Sequence, residues 1–293
     1  MRIGIIGISG FIGGELSRAA RNAGHTVVGF SRGKPGQSSD FEMREFDPDI
    51  PLPLQDLDAV VNLAGKSVFG RWTKTRRRQI LDSRVHSTRH IVNSLATPGN
   101  VRTLVNISAI GFYGERGDTE LDETASPGAG FLSEVTQAWE AEAVRAANHG
   151  IRVVLPRLGM VVGKDGGAMK IMKPVFRCGL GGKLGSGRQW MSCVHVADVA
   201  GLILFALDNS QIEGPINTVS KTPLRNAEFT AIAAKAAHRP AFFAVPQFVL
   251  KLALGSMSGM ILDSQRVLPV RAVEAGYPYQ FPTLESAIKD VFE

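Results

Sequence analysis

The sequence predicts an α/β protein built on a doubly wound parallel sheet, with a smaller, mainly helical C-terminal lobe. Three observations predict it. Short apolar runs alternate with longer helical patterns through the first two-thirds of the chain. Those runs are apolar at nearly every position, which suits strands buried on both faces of a helix-covered parallel sheet. From residue 221 onward the pattern becomes mainly helical. With 293 residues, of which 44% are apolar and 20% charged, the chain can bury a large core, and disordered, collagen-like and coiled-coil classes are excluded.

In chain order, residues 3–6 read as the first strand and run directly into glycines, which open a helix from Phe11. Residues 26–30 and 59–63 follow as strands, 73–95 as a helix, 101–107 as a strand, 130–148 as a helix and 151–155 as a strand. Residues 164–187, rich in Gly and Lys, read as a loop-heavy excursion from the sheet. Helical residues 195–207 and strand residues 215–219 return to it. The last part carries helices at 226–237, with Asn226 as N-cap, 247–254 and 284–292. This divides the chain into a sheet domain of residues 1–163 plus 192–220 and a lobe of residues 164–191 plus 221–293 above the strand ends.

Composition narrows the partners. The excess of 33 Lys and Arg over 27 Asp and Glu gives +6, diffuse along the chain, which suits a phosphorylated small molecule and does not point to nucleic acid. The two cysteines, Cys178 and Cys193, have neither metal-ligand nor redox spacing, so no metal site is expected. The apolar start is too short for a signal peptide, and Lys251 interrupts the longest late apolar run, residues 242–262. The expectation is a cytoplasmic protein without a membrane partner; the oligomeric state is not legible.

The turn Gly7-Ile8-Ser9-Gly10-Phe11-Ile12-Gly13 stands between the first strand and the first helix. Chemistry calls for glycines there when the backbone must bend tightly and admit a pyrophosphate to a helix N-terminus, whose N–H groups and dipole favour negative charge. The spacing is G-x-x-G-x-x-G. At the end of the second strand, where a carboxylate would hold a ribose diol, the chain reads Ser31-Arg32-Gly33-Lys34. A hydroxyl and two cations suit a 2′-phosphate, so NADP(H) is expected in preference to NAD(H). Asn62-Leu63-Ala64-Gly65 ends the fourth strand with small residues that let backbone pass beside a ribose. Asp47, just past the third strand, either meets the adenine amine or caps its own loop.

With this turn, Asn62-Leu63-Ala64-Gly65 and Ser108-Ala109-Ile110-Gly111-Phe112-Tyr113-Gly114, the chain resembles the extended short-chain dehydrogenase/reductases. More narrowly it is similar to their atypical "NAD-dependent epimerase/dehydratase" or "epimerase family protein" group, whose members carry a C-terminal domain of unknown function. Trp139-Glu140, Gly166-Gly167-Ala168-Met169, Gly179-Leu180-Gly181-Gly182, Asn226-Ala227-Glu228-Phe229, Ser264-Gln265-Arg266-Val267-Leu268-Pro269 and Phe281-Pro282-Thr283-Leu284 carry that narrower resemblance. It implies a Rossmann-type fold and a bound NADPH, with Ser31 and Arg32 at the 2′-phosphate, Leu63 and Ala64 along the cofactor and Arg84 as a further contact. It also implies that Gly159-Met160-Val161-Val162 passes near the nicotinamide. The group's substrate is not established. The basic run Arg71, Lys74, Arg76, Arg77 and Arg78 reads as a solvated face.

The wider superfamily transfers protons with a Ser or Thr and a Tyr-x-x-x-Lys helix, in which the Lys lowers the Tyr pKa. None of Tyr113, Tyr277 and Tyr279 has a Lys four residues on. Ser108 survives at the end of the fifth strand as a candidate substrate hydroxyl, Tyr113 offers a phenol from the loop, and Glu134 is the titratable group in the middle of the helix. The last two have ordinary readings as packing and as a solvated helix face. His195 reads as a helix cap. Two functions follow: an NADP(H)-binding oxidoreductase or epimerase-like protein with an altered acid, or an NADP(H)-occupied regulatory or sensing protein. In either, a small-molecule ligand is expected between residues 108–113, the loop after Val162 and residues 179–189, outside the strand ends.

Overall fold

The computed structural model describes residues 1–33, 40–164 and 166–293. Lys34, one of the two expected 2′-phosphate cations, lies outside the described residues. Seven parallel strands form the main sheet: β1 (Arg2–Ile6), β2 (Thr26–Ser31), β3 (Glu42–Glu45), β4 (Ala59–Asn62), β5 (Thr103–Asn106), β6 (Arg152–Leu158) and β7 (Gly214–Thr218). Their spatial order is β7-β6-β5-β4-β1-β2-β3. The order reverses between β1 and β4, and that switch point opens a crevice at the carboxyl ends of the strands. Ser108–Ala109 extends past β5 and pairs with the end of β6.

Strict alternation explains why the strands are apolar throughout. Ile3 and Ile5 face one core layer with Val27, Ala59, Val61, Val105 and Val154. Ile6, Val28, Val60, Leu104 and Leu155 face the other. Helices α1 (Phe11–Asn22) and α5 (Val196–Asp208) pack together over the first layer, and α2 (Lys74–Ser94) and α3 (Phe131–Val144) over the second. At the sheet edge, three of the four residues of β3 are charged and only Met43 turns to the core: Arg44 pairs with Glu42 at 2.7 Å and with Asp56 at 2.6 Å. Such an edge resists pairing with another chain.

Several helix ends follow from local chemistry. Thr73 caps α2 by accepting from Arg76 N at 3.2 Å. His195 caps α5 by accepting from Ala197 N through Nδ1 at 3.2 Å, the cap role expected for it. Two expectations are corrected. Residues 164–187, expected as loop-heavy, also contain an unforeseen helix, α4 (Met169–Arg177), with Met169 and Phe176 buried. Helix α6 (Asn226–Ala236) is capped at Arg225, whose N–H donates to Glu228 at 2.7 Å, while the buried Asn226 side chain accepts from Leu184 N at 2.8 Å. It therefore fastens α6 to the segment after α4.

Helices α7 (Gln247–Leu254) and α8 (Leu284–Phe292) complete the lobe. Its core joins Met169 and Phe176 with Phe229, Ala233, Leu284, Ile288 and Val291, and it takes in Val162 and Cys193 from the sheet side. Conversely Ala272 and Tyr277 pack into the first sheet layer. Apolar packing therefore crosses the boundary between sheet domain and lobe in both directions.

Candidate functional site

The site begins at the carboxyl end of β1. Gly7 has φ +83°, and a Cβ there would lie 3.2 Å from the backbone of Leu63, so the first glycine lets the end of β4 pass alongside. Gly10 N donates to Gly7 O at 3.0 Å, closing the turn. A Cβ on Gly13 would stand 2.4 Å from Gly7 O and 2.7 Å from Ile8 Cα, so the third glycine is what allows α1 to press on the turn. Gly10 differs: its φ is −78°, and an added Cβ would meet only Gly7 O, at 3.2 Å, with open space beyond.

Helix α1 begins without a side-chain cap and without an acidic residue in its first turn. Its N-terminal N–H groups and the positive end of its dipole therefore face the opening beside Ser9 and Gly10, an arrangement that favours an anion. The cleft there has a volume of about 520 Å³ and is lined by Ser9, Gly10, Phe11, Glu15, Gly166, Gly167 and Lys170. Gly163 and Gly166 have no room for a Cβ because the Phe11 ring would lie 2.6 and 2.2 Å away. The loop after Val162 thus wraps the half-buried Phe11, and a stretch assigned to the lobe from sequence forms one wall of the cleft. Ile12 is half-buried behind it and packs against the sheet core. Val162 itself is 0% exposed in the lobe core and pairs with His195, so only the loop that follows it reaches the cleft.

At the end of β2, Ser31 is half-buried and Arg32 exposed. Asp47 accepts from Asp49 N at 2.9 Å, which makes it the cap of its own loop. Along β4, Leu63 N donates to Ile6 O and Ala64 N to Asn62 Oδ1, at 2.9 and 3.0 Å. Asn62 is held in turn by a buried polar cluster: its Nδ2 donates to Thr88 Oγ1 and Asn106 Oδ1, and Trp139 Nε1 donates to Thr88 at 2.9 Å. Beside Gly65 lies the Arg84 guanidinium, 3.2 Å from where a Cβ would be. Arg84 donates to Lys66 O and Ile80 O and stacks 5.0 Å over Trp139. No carboxylate among the described residues pairs with it, and burial pushes its pKa down to about 10. It is a cation left unneutralised by the protein, next to the strip where Leu63, Ala64 and Gly65 run.

The three candidate catalytic side chains are placed in ways the sequence did not foresee. Ser108 is buried, and its hydroxyl donates to Glu140 Oε1 at 2.5 Å. Glu140 is gripped by Arg157 through Nε and Nη2, at 2.9 and 2.8 Å. Arg157 also donates to the Tyr113 hydroxyl at 3.0 Å, and Tyr113 donates to Asn217 Oδ1 at 2.7 Å. Tyr113 is 0% exposed, and burial raises its pKa. Ser108 and Tyr113 are thus joined, but inside the protein through an ion pair, with both protons committed to partners. Glu134 is exposed in the first turn of α3, apart from this cluster. As placed, none of the three holds a proton toward the cleft.

Sequence reasoning missed Glu140, Arg157 and the Asn62 cluster. Arg157 had a signal, an ionic side chain after the apolar run of residues 153–156 in strand β6, and so did Asn62 at the end of an apolar run. Also unforeseen is a strap: the backbone N–H of Gly70 meets Met257 Sδ at 3.1 Å, and Gln265 Nε2 donates to Ile110 O and Gly114 O. The lobe is therefore fastened to the loops after β4 and β5.

A glycine turn feeding an uncapped helix at the switch point of a parallel sheet defines a Rossmann-type α/β protein. A sequence model described as "NAD dependent epimerase/dehydratase family" matches residues 3–218, and the chain belongs to that family. A second model, of a domain of unknown function (DUF1731), matches residues 245–291. The epimerase family protein Mb2239 of Mycobacterium bovis is 37% identical, over 98% of this chain and 96% of its own length. The mouse epimerase family protein SDR39U1 is 36% identical over 99% of each. The crystal structure of human SDR39U1 isoform 2 with NADPH superposes with a TM-score of 0.93 at 34% identity, covering 100% of this chain and 99% of that one. UDP-N-acetylglucosamine 4-epimerase from Bacillus cereus, 18% identical with a TM-score of 0.80, shares the fold.

Proposed function

We propose that the protein binds NADP(H) and acts as an oxidoreductase or epimerase-like enzyme on a small-molecule substrate. The observation that carries this reading is the opening at Gly10, where an uncapped helix N-terminus meets a cleft of about 520 Å³. The NADPH in the human relative supports it. In this reading Gly7, Ser9, Gly10, Phe11, Ile12 and Gly13 receive the diphosphate. Ser31 and Arg32 meet the 2′-phosphate, Leu63, Ala64 and Gly65 run along the ribose, and Arg84 supplies the nearby positive charge. When bound, the nicotinamide supplies or takes up a hydride. The substrate lies between residues 108–113, the loop after Val162 and residues 179–189. An exposed thiol, Cys178, unpaired in the structure, suits the reducing cytoplasm.

Titration calorimetry tests the cofactor assignment. NADPH should bind about tenfold to a hundredfold more tightly than NADH, because a charge-assisted phosphate contact contributes roughly 1.5–3 kcal/mol. Arg32→Asp should invert the preference. Equal affinities in the parent protein would remove Arg32 and Ser31 from the site.

A second reading, an NADP(H)-occupied sensing protein with little turnover, is favoured by the commitment of Ser108 and Tyr113 to buried partners. Tyr113→Phe separates the two. It removes the bonds to Asn217 and Arg157 and should lower stability by about 1–3 kcal/mol, the cost of leaving buried partners unsatisfied. NADPH affinity should be unchanged. If NADPH oxidation with a small molecule co-purified from the expression host also persists in Tyr113→Phe and Glu134→Gln, the proton comes from water or substrate. A loss of turnover confined to Tyr113→Phe, at unchanged stability, would restore the phenol as the acid.

A further inference from the structure

One face of the lobe is apolar, and the two segments that build it carry no carboxylate of their own. Phe242 is 88% exposed, Leu252 84%, Phe248 72%, Leu180 60% and Phe243 56%, well beyond the scattered apolar exposure of an ordinary surface. They are neighbours through the backbone. Gly182–Leu184 pairs with Phe243–Val245, setting Leu180 near Phe242 and Phe243, and Gly185 lies against Gln247 at the start of α7. Only Leu250 of α7 is buried, so that helix offers Phe248 and Leu252 to the outside.

The segments that build this face, residues 166–197 and 229–262, contain no Asp or Glu against eight Lys and Arg, of which Lys235 is paired with Glu285 of α8 at 3.0 Å. Arg239 Nε donates to the backbone carbonyl of Arg177 at 3.1 Å, which anchors the Arg239 guanidinium where the segments join. Lys183 lies in the paired strand and the exposed Lys251 lies on α7 between Phe248 and Leu252. Apolar side chains ringed by cations fit a partner that is hydrophobic within and negative at its surface. A second copy of this chain would bring like charge against like charge.

We propose that this face rests on the surface of an anionic phospholipid bilayer, with Phe242, Phe248 and Leu252 entering the interface and Lys183, Arg239 and Lys251 at the phosphates. This revises the sequence expectation of no membrane partner. That expectation rested on the lack of a spanning run, and surface attachment needs none: no helix among the described residues is long and apolar enough to cross a membrane. The proposal does not depend on the cofactor assignment.

Vesicle flotation with the full chain tests it, using phosphatidylcholine alone and phosphatidylcholine containing about 30% phosphatidylglycerol. The chain should float with the anionic vesicles and at least about tenfold less with the neutral ones, and high salt should weaken the association. Phe242→Ser with Leu252→Ser, and separately Arg239→Glu with Lys251→Glu, should each reduce flotation by about tenfold or more while circular dichroism and NADPH affinity stay at parental values. No association with anionic vesicles would overturn the proposal. So would concentration-dependent dimerisation abolished by the Phe242→Ser and Leu252→Ser changes, which would assign the face to a second copy. Equal binding to neutral and anionic vesicles would overturn the role given to the cations.

Discussion

Gly10→Val should abolish NADPH binding in a protein that remains folded. The backbone of Gly10 has φ −78° and ψ 169°, an extended conformation open to any residue, so a side chain adds no backbone strain. An added Cβ would touch only Gly7 O, at 3.2 Å, and the rest of a valine would project into the cleft where a diphosphate must approach the first N–H groups of α1. Gly13 provides the contrast. A Cβ there would sit 2.4 Å from Gly7 O and 2.7 Å from the Ile8 backbone, so Gly13→Val must push α1 off the turn. The expected results are a loss of at least about a hundredfold in NADPH affinity for Gly10→Val, equivalent to roughly 2.7 kcal/mol, at near-parental stability. Gly13→Val should lower both. Fluorescence titration and urea denaturation read the two quantities separately. Retained NADPH binding in folded Gly10→Val would make the turn a structural corner and withdraw the cofactor site.

The contrast between those glycines marks what a sequence can convey. Local requirements were legible: an apolar strand, a glycine turn and a helix follow one another within residues 2–22, and each is a response to neighbours close in sequence. The long helix α2 was legible too, since Thr73 caps it from the adjacent position. Helix α4 was obscured because glycines crowd both its ends and Pro174 lies inside it, although Met169, Met172 and Phe176 kept a helical spacing toward the lobe core. The roles of Ser108 and Tyr113 were beyond reach for a different reason. The partners that commit them, Glu140, Arg157 and Asn217, stand 32 to 104 residues away, and only the sheet register together with the packing of α3 brings them together. A hydroxyl facing a cleft and one facing a buried ion pair look the same in sequence.

The buried ion pair should produce the largest stability effect in the protein. Glu140 and Arg157 have side-chain exposures of 9% and 5%, so each depends on the other for its charge to be tolerated inside. Glu140→Ala would leave the guanidinium without a counter-charge, against the Tyr113 hydroxyl and ring and the Phe112 ring, whose centre is 3.5 Å away. It would also free Ser108, at the start of the segment beside the expected substrate. A loss of about 3–5 kcal/mol is expected in urea denaturation. Glu140→Gln keeps the shape and an acceptor but not the charge, and should lose less. Replacing both partners, Glu140→Leu with Arg157→Leu, removes the unpaired charge altogether and should recover much of the loss, because a buried pair is costly to break and cheap to exchange for apolar groups of similar size. Two single variants whose losses simply add in the double variant would show that the residues act independently and that Ser108 and Tyr113 are not held through the pair. If the double variant recovers, the loop from Ser108 to Tyr113 is positioned from within, by an interaction that never touches the cleft.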